Sequence, residues 1–210
     1  MRILKSILAI TMLAFVTVSC SDNDESTLET VVSKKVENLH AKETNDYSVS
    51  PPLVSGEFVK FSFKTGGIVT GNNWDIAFRG TTILVNGGDK TGISGEPERT
   101  GNAALAIEEG VFADITVAPT DTDFVQDSEE GLALPKGTWY TYNPANHLVS
   151  ATAGKVIIVK TVDGHYAKME ILSYYKDMDS SNSADPVNSG AQYYTFNYVY
   201  NSNAGDKSFQ

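Results

Sequence analysis

The sequence predicts an all-β protein, built mainly from antiparallel sheet with few or no helices. Tyrosine and phenylalanine are abundant, at 10 and 9 of 210 residues, and both favour strands. Apolar and polar residues alternate over several short segments that are separated by turns rich in glycine, asparagine or proline. The length suits one β domain with a substantial core.

The amino terminus predicts export. Residues 7–18 form an apolar run behind two basic residues, shorter than the roughly 20 residues needed to cross a bilayer. We therefore interpret residues 1–19 as a secretory signal peptide. It ends at Cys20, the only cysteine of the chain, and resembles a bacterial lipobox in which that thiol is lipidated. Thr17 stands where leucine is usual, and an ordinary signal with an incidental cysteine is the alternative.

Residues 20–33 are predicted to be a lipidated cysteine and flexible tether, ahead of a single domain over residues 34–210. The acidic run at 21–25 resembles the signal that sends some lipoproteins to the outer face of the outer membrane. A plain solvated tether is the alternative. The expected location is the outer membrane, lipid-anchored and exposed at the cell surface. Apolar residues between 28 and 39 are spaced loosely like a helix face, and the structure of that segment stays open.

The stretch WDIAFR, residues 74–79, has the alternation of a strand with one apolar face. Trp74, Ile76 and Phe78 are expected to point into the core, so Trp74 is predicted to be a core residue. Asp75 and Arg79 share the other face at a separation of roughly 13 Å. Because they cannot pair with each other, they are expected to find partners elsewhere in the sheet.

The other strands follow the same reasoning. Segment 103–117 is ambiguous, since its first part could be helix, and residues 121–131 are expected to be an acidic loop. Residues 155–161 and 165–175 are predicted to form a hairpin across Val162-Asp163-Gly164. The final strand, 192–200, carries an aromatic stripe that is expected to be core. Further strands are predicted over 59–63, 81–85 and 138–142.

Composition and motifs exclude several classes of function. A net charge of -10 and a pI near 4.7 argue against nucleic-acid binding, because few cations are available to neutralise phosphates. The sequence has no Ser/His/Asp motif, HExxH or phosphate-binding glycine pattern. Two Asp-x-Asp triplets lack the glycine and distal glutamate of an EF-hand. We expect that the protein is not an enzyme.

Four blocks carry a family resemblance: WDIAFRGTTILVNGG, TWYTYNP, KTVDGHYAKMEILSYY and YYTFNY, in this order. Together, and behind a lipobox, they resemble the HmuY family of haem-binding lipoproteins over about residues 55 to 200. The resemblance implies a mostly β domain that grips haem with two axial side chains, His/His or Met/Met. It also implies that the haem is captured outside the cell and passed to a TonB-dependent outer-membrane receptor.

Haem iron is ligated by imidazole nitrogen or thioether sulfur. His147 follows a turn, and Met178 lies alone in a polar loop; both fall where the resemblance places ligands, after the TWYTY strand and after the SYY strand. They are the predicted axial pair, although a His/Met pair departs from the matched pairs of the family. Tyr142, beside the turn, is a possible wall for the ring.

Three other side chains are alternative ligands. His165 follows a turn and is expected to be exposed, whereas Met169 lies on an alternating apolar face and is expected to be core. His40 is expected to be a surface histidine. His147 as a surface histidine and Met178 as an incidental methionine also remain open. The second functional hypothesis is therefore a lipoprotein of the same fold that binds no haem and acts as an interaction or other small-ligand binding module.

Overall fold

Thirteen strands and two 3-10 turns make up the regular structure of residues 28–185 and 188–210, which the computed structural model describes. The strands are β1 Val32–His40, β2 Thr44–Asp46, β3 Leu53–Ser55, β4 Val59–Ser62, β5 Gly67–Ile68, β6 Ile76–Arg79, β7 Thr82–Val85, β8 Ala104–Glu109, β9 Tyr140–Asn143, β10 Leu148–Ala151, β11 Lys155–Lys160, β12 Tyr166–Tyr175 and β13 Ala191–Asn201. The 3-10 turns are Asp121–Asp123 and Lys176–Met178. Since this part of the chain has no α-helix, the predicted all-β class is confirmed.

The strands form two larger sheets and two ribbons, and every pairing is antiparallel. One sheet has five strands in the order β1-β13-β12-β11-β8, and the other has four in the order β5-β4-β6-β7. The ribbons are β2–β3 and β9–β10. The predicted hairpin is β11–β12, and the ambiguous segment 103–117 contributes β8 as a strand.

Aromatic rings join the two sheets. The predicted stripe on β13 is buried, and Phe196 lies with its ring centroid 5.4 Å from that of Phe61 on β4. Phe196 also packs on Phe78 of β6 at 5.8 Å. Edge-to-face and offset ring pairs add stabilisation beyond the apolar area that they bury. This shared aromatic layer is the main core of the domain.

The five-stranded sheet is buried on its second face as well. Val156 and Ile158 of β11 pack there with Val199 and Phe209, covered by the loop that carries Phe112. Burial on both faces explains the unbroken apolar run of β11, because neither face of this strand meets water.

Trp74 is buried as predicted, but on a different face from the one predicted. It packs with Phe58, Ala77 and Leu84, whereas Ile76 and Phe78 belong to the main core. The regular strand β6 begins only at Ile76, so strand alternation does not extend back to Trp74. The prediction that Trp74 shares a face with Ile76 and Phe78 is therefore wrong.

Asp75 ties the two sheets together through backbone amides. It is buried, and its carboxylate accepts the N–H of Phe63 at 2.8 Å and the N–H of Val162, in the β11–β12 turn, at 2.9 Å. Burial raises the pKa of this carboxyl, and the two amide hydrogen bonds oppose the shift. Arg79 is also buried, and its guanidinium donates to the Ser94 carbonyl at 2.6 Å.

The segment whose structure the sequence left open forms most of strand β1. It is an edge strand paired with β13 and begins at Val32, inside the residues predicted to be tether. Within residues 28–185 and 188–210, no helix is long and apolar enough to cross a membrane. Cys20 and the predicted signal peptide lie outside the described residues.

Candidate functional site

The β9–β10 ribbon presents His147 on a tight turn. Asn143 accepts the Ala145 N–H at 2.9 Å through its side chain, and Asn146 accepts the Leu148 N–H at 3.3 Å in the same way. Such side-chain turns stabilise a reversal of the backbone locally. His147 has a φ of 54°, in the left-handed region that few non-glycine residues adopt. The turn therefore places His147 in a backbone conformation that is uncommon for residues other than glycine.

Tyr142 contacts His147 directly. Its hydroxyl oxygen lies 2.6 Å from Nδ1 of the imidazole, and the phenol is 52% exposed. The two residues flank the turn because Tyr142 is paired with Val149 across the ribbon. Among the residues that the structure describes, the imidazole makes this hydrogen bond through Nδ1 and none through Nε2.

Met178 ends a 3-10 turn that is fastened to β1. The Asp177 N–H donates to the Asn38 side-chain oxygen at 2.7 Å, and the Asn38 amide donates back to the Asp177 carboxylate at 2.7 Å. Both Asp177 and Met178 have positive φ angles, 53° and 60°. The Met178 side chain is 47% exposed, so its thioether is accessible to a ligand.

The structure brings the two predicted loops together. Ser183, in the loop after Met178, donates to the Asn146 carbonyl of the β9–β10 turn at 3.1 Å. The Tyr175 hydroxyl, at the end of β12, accepts the Val149 N–H at 3.0 Å. A groove of about 260 Å³ runs between β10 and the end of β12. Its lining consists of Leu148, Val149, Ser150, Ala151, Leu172, Ser173, Tyr174, Tyr175, Met178 and Ser180.

The alternative ligands Met169, on β12, and His165, in the turn just before it, are less accessible. Met169 is fully buried in the main core, as predicted. His165 is only partly exposed, so its predicted exposure is wrong: its Nδ1 lies 3.1 Å from the Tyr200 hydroxyl and 3.2 Å from an Asp163 carboxylate oxygen. Strand β13 places Tyr200 beside the turn, which the local sequence around His165 does not reveal.

His40 is exposed, as expected, and its ring makes a well-defined contact. Its ring stacks on Tyr193 with centroids 4.1 Å apart and an interplanar angle of 5°. Partial burial, followed by the nearby Lys42 charge, lowers its pKa and so favours the neutral imidazole. It lies two positions after Asn38, the residue that fastens the Met178 turn. Tyr193 and Asn38 were missed by sequence reasoning, because both act through contacts between distant parts of the chain.

Comparison with solved structures finds two proteins named as an HmuY analogue or as HmuY-like and one described as a lipoprotein, each at low sequence identity. The apo HmuY analogue of Tannerella forsythia has 14% identity and a TM-score of 0.47, and the match covers 84% of this chain and 99% of that chain. A Bacteroides vulgatus protein described as HmuY-like and haem-binding has 14% identity and a TM-score of 0.46, with 82% and 93% covered. A Bacteroides fragilis protein described as a lipoprotein has 13% identity and a TM-score of 0.43, with 82% and 90% covered. No protein-family model and no curated protein sequence matches this chain. Two of these three proteins carry the HmuY name.

Proposed function

We propose that this protein is a surface lipoprotein that binds haem in the groove between β10 and the end of β12. The observation that carries the proposal is the junction of two loops. The Ser183–Asn146 hydrogen bond holds the turn that bears His147 against the loop that follows Met178. Met178 lines the groove, and His147 immediately precedes Leu148, which also lines it.

The residues present suit a porphyrin. Leu148, Val149 and Tyr174 give the groove apolar and aromatic walls, on which a flat apolar ring can rest. Met178 offers a thioether from one loop, and the Tyr142–His147 pair offers oxygen or nitrogen from the other. The groove volume of about 260 Å³ is below the roughly 300–1,000 Å³ of typical ligand pockets. The ring is therefore expected to lie partly exposed, which suits a carrier that must release its cargo.

Titrating ferric haem into the full mature protein in detergent tests this proposal. Wild type is expected to shift the Soret band and to saturate with one haem. Met178→Leu should weaken haem binding by at least about 10-fold, the lower bound for loss of a metal-site partner. The double variant Tyr142→Phe/His147→Gln should weaken it further. Met169→Leu and His165→Gln are matched controls, because both residues lie away from the groove. Absence of a spectral shift in wild type would rule out haem binding, and unchanged affinity in both test variants would move the site elsewhere.

The proposal includes attachment to the outer membrane and delivery of haem to a TonB-dependent receptor there. A lipidated Cys20 followed by a polar segment would tether the domain at the surface. Release to a receptor requires that the loops around the haem can open. The Ser183–Asn146 hydrogen bond between the two loops is exposed and so adds little to the cost of separating them, while the part-buried Tyr175–Val149 bond holds β10 to the end of β12 beside them.

Anchoring has its own prediction. Because one acyl chain gives only marginal membrane binding, a multiply acylated Cys20 is expected to retain the protein in outer-membrane fractions. Cys20→Ser should move most of the protein out of the membrane pellet, as measured by immunoblot of cell fractions. Equal membrane retention of wild type and Cys20→Ser would contradict lipidation at this position.

A second function, an interaction module that binds no haem, is favoured by a different feature. The β2–β3 ribbon exposes apolar side chains at its tip, with Tyr47 77% exposed and Val49 and Leu53 also exposed. Exposed apolar clusters often mark protein contacts. A wild-type protein that binds no haem but loses a partner on Tyr47→Ala would favour this function.

A further inference from the structure

A cavity of about 420 Å³ lies between the β2–β3 ribbon and the end of β6, and it shares no lining residue with the groove beside β10. Its volume falls within the roughly 300–1,000 Å³ of typical small-molecule sites. The lining combines apolar side chains with a small number of charged ones, including a buried arginine. This composition is typical of a site for a ligand that is apolar at one end and charged at the other.

The Arg79 guanidinium lines this cavity with its hydrogen bonds only partly made. The side chain is 2% exposed, and its Nη1 donates to the carbonyls of Ser94 at 2.6 Å and Gly56 at 3.3 Å. Nε is buried without a hydrogen-bond partner, and no hydrogen bond among the described residues involves Nη2. Buried polar groups are normally hydrogen-bonded. Nε and Nη2 together form the edge of a guanidinium that can bind a carboxylate through two parallel hydrogen bonds.

The nearby carboxylates do not occupy this edge. The closer oxygen of Glu43 lies 3.8 Å from Nε of Arg79, beyond hydrogen-bonding distance. Glu96 is paired with Arg99 at 3.0 Å. The charged groups in the lining are Arg79, Lys136 and Glu43, so two cations and one carboxylate leave one net positive charge. A ligand with a single negative charge would balance it.

The rest of the lining suits a short apolar chain. Leu53 is 57% exposed, although it is a large aliphatic side chain, and it lines the cavity together with Pro52 and Ile93. An aliphatic chain that packs against these three side chains would remove apolar surface from water on both partners.

We propose that this cavity binds a small organic monocarboxylate with a short apolar chain. The carboxylate accepts hydrogen bonds from the Nε–Nη2 edge of Arg79, and Lys136 adds a second positive charge. The chain packs on Leu53, Pro52 and Ile93. Binding is reversible, and it is independent of haem because the two sites have no lining residue in common.

Calorimetric titration with hexanoate tests the chemistry of the ligand. The mature chain carrying Cys20→Ser is used, so that no detergent is needed. Hexanoate is expected to bind one site per chain, and butyrate about 15-fold more weakly, the effect of two buried methylenes. Hexan-1-ol should bind about 10–100-fold more weakly than hexanoate, because it cannot form charge-assisted hydrogen bonds with Arg79. Absence of hexanoate binding, or equal affinity for hexan-1-ol, would overturn the proposal.

Two variants test the location. Leu53→Asp changes an exposed side chain, so the fold should be kept, and it places a negative charge in the wall that should weaken hexanoate binding by at least about 10-fold. Ile68→Asp is the matched control, because Ile68 is 62% exposed and lies outside the cavity; it should bind as wild type does. Arg79→Lys, which keeps the charge and removes the planar edge, should also weaken binding by at least about 10-fold. If Arg79→Lys fails to fold, Leu53→Asp decides the test, and wild-type affinity in Leu53→Asp would overturn the proposal.

The same proteins separate this proposal from haem binding. Leu53→Asp should leave the ferric haem titration unchanged, since Leu53 does not line the groove beside β10. A wild-type protein that binds hexanoate and no haem would support this proposal and contradict the haem-binding function. One that binds haem and no hexanoate would overturn this proposal alone.

Discussion

Replacing Trp74 by alanine is expected to lower the free energy of unfolding by about 3–5 kcal/mol. Trp74 is fully buried against Phe58, Ala77 and Leu84, on the face of the four-stranded sheet away from the main core. Its removal leaves a cavity under a small cluster that has few other large side chains to fill it. Typical domains are stable by about 5–15 kcal/mol, so the loss would be a large share of the total.

Urea unfolding followed by circular dichroism measures this effect. Tyr47→Ala is the matched control, because it also deletes an aromatic ring but from a side chain that is 77% exposed; its cost should stay within about 0.5 kcal/mol. Trp74→Phe should cost less than Trp74→Ala, since it keeps a ring in the cluster and removes a buried indole N–H that has no described partner. Equal midpoints for Trp74→Ala and Tyr47→Ala would contradict the packing of this cluster.

The sequence predicts well those parts of the fold whose structure depends on residues close together in the chain. The β11–β12 hairpin and the aromatic stripe of β13 follow from alternation and turn residues within a few positions. Trp74 shows the limit of that reasoning: its burial follows from its side chain, but its face depends on where β6 starts. β1 was not identified as a strand because it is an edge whose outward residues are mostly exposed.

The residues of the candidate site were chosen from the sequence, and their contacts were not foreseen. The chemistry of imidazole and thioether is enough to select His147 and Met178, while the hydrogen bond from Tyr142 depends on the ribbon register. His165 was predicted to be exposed because Tyr200, which it contacts in the structure, lies on a strand distant in sequence. Contacts between residues far apart in the chain determine these environments, and a single sequence carries no record of such contacts.

The burial of Asp127 was not expected from the sequence, and it leads to a prediction with a large expected loss of stability. It lies in the segment expected to be an acidic loop, yet it is 1% exposed. Its carboxylate accepts the N–H of Val85 at 3.0 Å, the N–H of Ala133 at 2.8 Å and the Arg99 guanidinium at 2.8 Å. Burial raises the pKa of this carboxyl, and these three donors oppose the shift and favour its charged form.

Asp127→Ala is therefore expected to destabilise the domain by about 3–5 kcal/mol, the range for breaking a buried ion pair. The variant leaves the buried Arg99 cation with Glu96, at 3.0 Å, as its remaining carboxylate partner among the described residues, and it leaves two backbone N–H groups without their acceptor. Glu98→Ala is the matched control, because it also removes a carboxylate, but from an exposed ion pair with Lys90; it should cost less than about 1 kcal/mol. Thermal and urea unfolding of the two variants measure the difference. If Asp127→Ala were no less stable than Glu98→Ala, the Asp127 carboxylate could not be what holds β7 to the segment around Ala133.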